Sequence, residues 1–164
     1  MSIRTRTRLL PLCAALAPVM LADAATGPPT TFQVKAQIIA DCTVSATNMN
    51  FGDLGVLNAD KAATSTVTAT CTNTTPYSIG LDAGNTSGSS ETARLLANGS
   101  NTLPFQLYKD GAYAQYWGST TGTLASGTGN GSAQTFTVFG RIQALATTPP
   151  LGQYTTIINV TISY

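Results

Sequence analysis

The sequence predicts an all-β fold, an antiparallel sandwich within a single exported domain. Three observations support this: short runs alternate apolar and polar residues, clusters of turn-forming residues separate the runs, and only 9% of the residues are charged. Lys and Glu, which normally cover exposed helices, are therefore scarce. No window repeats apolar residues at a helical spacing, and 164 residues leave room for one core of ordinary size.

The N-terminal residues are typical of a secretory signal. An apolar stretch over residues 9–22 follows three arginines, and Ala22-Asp23-Ala24 has the small-x-small pattern of a cleavage site. We therefore expect residues 1–24 to be removed. The alternative is an uncleaved membrane anchor, but the stretch is short and two prolines interrupt it.

Cleavage changes the charge of the chain, and the mature sequence predicts neither a nucleic-acid partner nor membrane insertion. It deletes three arginines and one aspartate, which leaves five basic and six acidic residues and a formal charge of −1. No basic surface for nucleic acid is predicted. Because no apolar run reaches 18 residues, we also expect no membrane insertion after the signal is cleaved.

The cysteines predict a disulfide. Cys13 leaves with the signal, so Cys42 and Cys71 remain as an even pair in an oxidising compartment. The alternative is two buried free thiols.

The first predicted strand covers residues 30–40. Apolar residues form one face and polar residues form the other. The apolar face consists of Phe32, Val34, Ala36 and Ile38, and the polar face consists of Thr31, Gln33, Lys35 and Gln37.

Five further β-rich runs follow, and turn-forming clusters separate them. The runs are residues 66–71, 77–82, 103–109, 135–144 and 155–164. The clusters are residues 73–76, 84–90, 98–101 and 118–132. Short strands joined by polar loops predict an antiparallel sandwich of immunoglobulin-like type.

The last run ends the sequence inside a predicted strand. Its apolar residues are Ile158, Val160, Ile162 and Tyr164, and polar residues alternate with them. If this strand packs within the sandwich, the strand that would normally cover its neighbour is missing. We then expect an apolar groove beside an unpaired strand edge, and such an edge needs a partner.

Catalytic patterns are absent from the sequence. There is no His, which removes the commonest general base and the usual metal ligand, and the acidic residues are scattered singly. Gly127, Gly129 and Gly131 resemble a phosphate loop, but no Lys-Ser/Thr follows them, so we expect a mobile loop. The chain is predicted to be non-enzymatic, without a metal or cofactor.

Two smaller predictions concern single side chains. Arg94 and Asp110 are expected to pair across neighbouring strands as an exposed ion pair with little effect on stability. Trp117, close to two tyrosines, is expected to pack within the domain, and the alternative is a contact with sugars or surfaces.

An ordered series of short motifs spans almost the whole mature chain. In order they are Cys42-Thr43-Val44, Met49-Asn50-Phe51-Gly52, Val67-x-Ala69-x-Cys71-Thr72, Tyr77-x-Ile79-x-Leu81-x-x-Gly84, Arg94-Leu95-Leu96-x-x-Gly99, Leu103-x-Phe105-x-Leu107-Tyr108-x-Asp110, Trp117-Gly118, Gly152-x-Tyr154 and Val160-x-Ile162-x-Tyr164. With a signal in front, this series resembles the spore coat protein U family, which includes subunits of archaic chaperone-usher pili. The family often has an acidic residue where this chain has Thr156.

The resemblance implies an incomplete immunoglobulin-like β-sandwich with an N-terminal donor-strand extension. A periplasmic chaperone would keep the subunit soluble, an outer-membrane usher would receive it, and the extension of the neighbouring subunit would complete its fold. We therefore divide the chain into a signal (1–24), an N-terminal extension (25–40) and a pilin-like sandwich domain (41–164).

The predicted function is that of a structural subunit of a surface pilus, assembled through donor-strand complementation and supporting adhesion and biofilm formation. The donor residues would be Phe32, Val34, Ala36 and Ile38, and the final strand would border the acceptor groove. Three alternatives stay open. In the first, residues 32–38 are simply the first strand of their own domain; in the second, they share both roles. In the third, the chain is a secreted or spore-coat-like surface-binding protein that does not polymerise.

Overall fold

A computed structural model describes residues 25–164, so the predicted signal lies outside the described residues. Every regular element in this part of the chain is a strand, which confirms the all-β prediction. The strands are β1 (Cys42–Ala46), β2 (Lys61–Cys71), β3 (Pro76–Leu81), β4 (Arg94–Asn98), β5 (Asn101–Tyr108), β6 (Ala125–Thr128), β7 (Ala133–Ile142) and β8 (Val160–Ser163).

The chain divides into a leading segment that ends at Ala36 and a compact unit of residues 37–164. The described part of the leading segment, residues 25–36, contains no strand. All eight strands belong to the compact unit.

The larger sheet has the order β1-β2-β7-β5-β4, and all its pairs are antiparallel. The pairing of β2 with β7 is the longest and runs from Lys61↔Ile142 to Thr70↔Ala133. Strand β2 alternates threonine with small apolar residues, so one of its faces packs inward. Val67 and Ala69 lie on that buried face.

The smaller sheet has the order β6-β3-β8. Its central strand β3 contributes Ile79 and Leu81 to the core, and these residues face Ile162 and Val160 of β8. In the described part of the chain, β8 has a strand partner on one side only. Its other edge is the unpaired edge that the sequence predicts.

The core lies between the two sheets. Trp117 is buried in it and donates from Nε1 to the carbonyl oxygen of Ile79 at 3.0 Å. The packing role expected for Trp117 is therefore confirmed. The other large buried apolar side chains include Leu57, Tyr77, Leu103, Phe105, Leu107, Val138 and Ile142.

The predicted strand over residues 30–40 does not form in the single chain. Residues 25–41 contain no strand. A strand needs a hydrogen-bonded neighbour, and apolar alternation alone does not supply one. Residues 155–159 also lack a continuous strand, so β8 is shorter than predicted.

The prediction of a mobile loop at the glycines is wrong for the first half of that segment. Residues 125–128 form β6, which pairs with β3 over four residues. A Cβ on Gly127 would lie 2.5 Å from the Tyr77 ring, and one on Gly129 would collide with the carbonyl oxygen of Thr72. These glycines let the chain pass close to β3 and to the β2–β3 turn.

The prediction of an exposed ion pair between Arg94 and Asp110 is also wrong. Arg94 is fully buried, and Asp110 instead accepts hydrogen bonds from the backbone of Ala114 and Gln115. A guanidinium can enter a core when carbonyl oxygens satisfy its donors, and β4 places Arg94 where they do.

Candidate functional site: an open apolar groove

An open apolar groove of about 1450 Å³ lies in the compact unit, between the two sheets. Strands β2, β4, β5 and β7 contribute side chains to its floor. Two segments form its rims: residues 46–57, which are irregular after the last residue of β1, and residues 148–158. The apolar side chains that line it include Met49, Phe51, Leu54, Leu57, Leu81, Leu96, Leu103, Phe105, Ile158 and Val160.

The first rim depends on a glycine in β7. A Cβ on Gly140 would collide with Met49 Sδ and would lie 3.0 Å from Phe51 Cζ. The missing side chain lets residues 49–51 lie against the sheet, where Phe51 meets Phe105 edge-on at 6.5 Å between ring centroids. Gly140 therefore leaves the space that the side chains of Met49 and Phe51 occupy above the floor.

The second rim is held by polar contacts. Thr155 and Ala97 exchange two backbone hydrogen bonds of 3.0 and 2.9 Å. Asn85 Oδ1 accepts from the backbone N–H of Ile157 at 3.0 Å. These bonds leave the apolar side chain of Ile158 at the groove.

Asp82 ties the start of β8 to the end of β3. Its carboxylate accepts from Asn159 and from the backbone N–H of Gly84. Burial raises the pKa of Asp82, but the hydrogen bonds from Asn159 and Gly84, aided by the nearby charge of Arg94, outweigh burial and hold this pKa below its ordinary value.

The structure brings two of the four predicted acceptor residues to the groove. Ile158 and Val160 line it, whereas Ile162 pairs with Ile79 and packs against the core. Tyr164 is exposed, and its hydroxyl donates to Asp41 Oδ1 at 3.4 Å. Sequence alternation alone does not separate these two environments.

The predicted donor residues are exposed. Phe32, Val34 and Ile38 are 88%, 82% and 83% exposed, and Ala36 is exposed as well. Large apolar side chains are seldom this exposed on the surface of a soluble protein, where contiguous apolar patches are small.

The predicted disulfide is present. Cys42 and Cys71 are bonded to each other and are also register partners in the β1–β2 pair. Next to it, Thr72 Oγ1 donates to the carbonyl oxygen of Ile39 at 3.1 Å and accepts from the N–H of Asp41 at 3.0 Å. The chain is therefore fastened where it enters β1.

Sequence reasoning missed the role of Arg94. Its guanidinium donates to the carbonyl oxygens of Leu81, Asp82, Glu91 and Trp117 at 2.8–3.0 Å, and to Gln106 Oε1 at 2.5 Å. Burial lowers the pKa of Arg94 to about 10, while Glu91 and Asp82 oppose this shift, so the side chain is charged at neutral pH. Arg94 thus joins β4, which supplies Leu96 to the groove, to both sheets.

Within residues 25–164, no group of three or more His, Cys, Asp or Glu side chains is arranged to hold a metal ion. Those residues also contain no helix with the length and apolar character needed to cross a membrane.

Comparison with known proteins identifies the family. The family model of the Spore Coat Protein U domain matches residues 29–161. A search of curated proteins returned no match.

Among solved structures, the chain is similar to the pre-assembly complex of CsuC and CsuE, a chaperone and a tip adhesion subunit from archaic chaperone-usher Csu pili of Acinetobacter baumannii. The TM-score is 0.57 at 21% identity, and the match covers 77% of this chain and 40% of that one. This likeness supports the predicted sandwich fold, and the match of the family model over residues 29–161 carries the identification. The chain belongs to the Spore Coat Protein U domain family.

Proposed function

We propose that this chain is a structural subunit of a surface pilus, assembled by the chaperone-usher route. One combination of features carries the proposal: the compact unit has an open apolar groove, and the same chain carries an exposed segment with the alternation of a strand. Each feature lacks what the other supplies. A second copy of the chain therefore satisfies both.

The joint forms by strand addition. Residues 32–38 of one subunit enter the groove of its neighbour, beside β8, with Phe32, Val34, Ala36 and Ile38 directed to the floor. Burial of Phe32, Val34 and Ile38 contributes about 1.5 to 3 kcal/mol each before the cost of ordering the strand. Each backbone hydrogen bond adds about 1 kcal/mol.

The same reasoning gives the partners and the location. An open apolar groove aggregates unless it is covered during export, which calls for a periplasmic chaperone that covers it until the neighbouring subunit arrives. An outer-membrane usher then passes the subunit to the cell surface. There the fibre serves adhesion and biofilm formation, without an enzymatic activity of its own.

The test compares two adjacent substitutions in the extension. Phe32→Asp places an unpaired charge in the apolar groove, whereas Gln33→Asp adds the same charge on the opposite face of the strand. The full chain is exported with its chaperone and usher, and surface material is analysed on denaturing gels with and without boiling.

We expect heat-sensitive oligomer ladders for the unmodified chain and for Gln33→Asp, and monomer alone for Phe32→Asp. A monomer from the unmodified chain, with residues 32–38 protected from proteolysis, contradicts the proposal. That result favours the alternative in which this segment completes its own domain in a binding protein that does not polymerise.

A further inference from the structure

The extension and the groove carry side chains of opposite charge. From the charges of the extension and of the groove, we infer that Lys35 of one subunit pairs with the neighbouring subunit's Asp53 and so selects a second copy of this chain as the occupant of the groove. This inference rests on the proposed function. The charge pair makes the joint more specific, because apolar contacts alone would also accept other extensions with the same alternation.

One side chain of the extension is charged. Lys35 is the single charged residue among residues 25–40, and it belongs to the polar face with Thr31, Gln33 and Gln37. When the opposite, apolar face enters the groove, Lys35 points away from the floor and toward the open side of the groove. It is the central residue of the segment 32–38.

The groove offers one charge of the opposite sign. Asp53 is the single charged residue among those that line it, and its side chain is exposed on the rim formed by residues 46–57. A tight turn precedes it, in which Asn50 Oδ1 accepts from the N–H of Gly52 at 2.8 Å and Gly52 has a φ of +76°. The turn fixes the backbone from which Asp53 projects.

Among the acidic side chains of the sandwich, residues 41–164, Asp53 is the one without a hydrogen-bond donor or a cation beside it. Within residues 25–164, the other five acidic side chains of the sandwich accept hydrogen bonds, and Asp53 has no such donor and no cation. Those five are Asp41, Asp60, Asp82, Glu91 and Asp110.

The length of the lysine side chain and the opposite signs of the two charges are both compatible with this pair. Paired strands lie about 4.8 Å apart, and an extended lysine side chain is long enough to span that distance. Residues 41–164 hold four basic and six acidic residues, so the sandwich is negative and the extension is positive. Complementary charges of this kind raise the rate of correct association and disfavour extensions that lack the lysine.

The experiment is a charge exchange in the full chain, exported and assembled as above. Lys35→Asp and Asp53→Lys each place like charges together, and the double variant restores an opposite pair in every joint of a homopolymer. The controls carry new charges nearby: Gln37→Asp lies on the same strand face, and Asn58→Lys lies on the same loop but outside the groove lining. The measured quantity is the half-life of the dimer band in urea, at low and at high salt.

We expect each single variant to shorten the half-life by about threefold at low salt, as for a partly exposed ion pair. The double variant should regain the original half-life, and high salt should remove the differences. The inference is overturned if all variants behave alike or if the double variant is no better than the singles, while normal ladders would leave the proposed function intact. If the unmodified chain forms no ladder at all, the proposed function fails and the charge pair fails with it.

Discussion

The carboxylate of Asp82 accepts hydrogen bonds from both the backbone N–H and the side-chain amide of Asn159, at 3.0 and 2.6 Å. Asn159 directly precedes β8, so this contact holds the final strand against the end of β3.

The position of β8 should depend on the ionisation of Asp82. The folded state lowers the pKa of Asp82, so its contribution is complete above the ordinary aspartate pKa and is lost as the pH falls through the lower folded value. Asp82→Asn should lower the free energy of unfolding by about 1 to 3 kcal/mol at neutral pH. It should also weaken the pH dependence of stability on the acid side.

Urea unfolding at several pH values measures both effects of this change. Asp53→Asn is the matched control, because Asp53 is exposed and has no hydrogen-bond partner in the described part of the chain. Equal losses for the two variants would contradict the role given to Asp82.

The groove should be sensitive to one added methyl group at Gly140. Gly140→Ala pushes a Cβ into Met49 Sδ and should cost about 1 to 3 kcal/mol by overpacking. Met49→Ala in the same chain should recover part of that loss. Gly55→Ala is the control, since an added Cβ there meets nothing within 4 Å. Denaturant midpoints of these three variants and of Met49→Ala alone test the coupling, and additive losses would argue against it.

Arg94 should be the most sensitive charged residue in the sandwich. Arg94→Met removes five hydrogen bonds from buried or partly buried acceptors and should destabilise the fold by about 3 kcal/mol or more. Arg94→Lys keeps the charge but lacks the planar fork, so it should also destabilise.

The control for Arg94 is Arg141→Lys, which changes a partly exposed pair with Asp60 and should cost less than about 1 kcal/mol. Thermal unfolding of the three variants gives the comparison. Similar midpoints for Arg94→Lys and Arg141→Lys would show that the buried bonds contribute little.

The disulfide should stabilise the fold through the unfolded chain. Replacing both Cys42 and Cys71 with Ala frees a loop with a sequence separation of 29 residues. The expected loss is about 3.5 kcal/mol. Unfolding curves of the original chain with and without reductant should reproduce this difference, and the double Ala variant should not respond to reductant.

The sequence predicts well where alternation and packing agree. Strands β2, β3, β5 and β7 overlap predicted runs, because their inward residues are apolar and their neighbours pair along most of their length. Strands β1, β4 and β6 lie outside the predicted runs. For β6 the reason is that residues 125–128 carry no large apolar side chain and pair with β3 only in the folded chain. Residues 30–40 show the reverse case, where alternation is clear but the single chain supplies no ladder.

Only part of the candidate site can be predicted from the sequence. The unpaired edge of β8 and the disulfide follow from local patterns. The first rim does not, because it depends on the empty space above Gly140, which lies about ninety residues from Met49. Arg94 was misread because charged residues are usually exposed, and only the folded chain reveals the carbonyl oxygens that surround it.

The crosslink at the entry to β1 has a mechanical consequence. Tension on the extension of a pilus subunit would reach the sandwich at Cys42, where β1 begins at the edge of its sheet. The covalent bond passes that force directly to Cys71 at the end of β2, the strand with the longest pairing. An edge strand that would otherwise peel away one hydrogen bond at a time is thereby loaded together with its neighbour, which suits a filament exposed to flow.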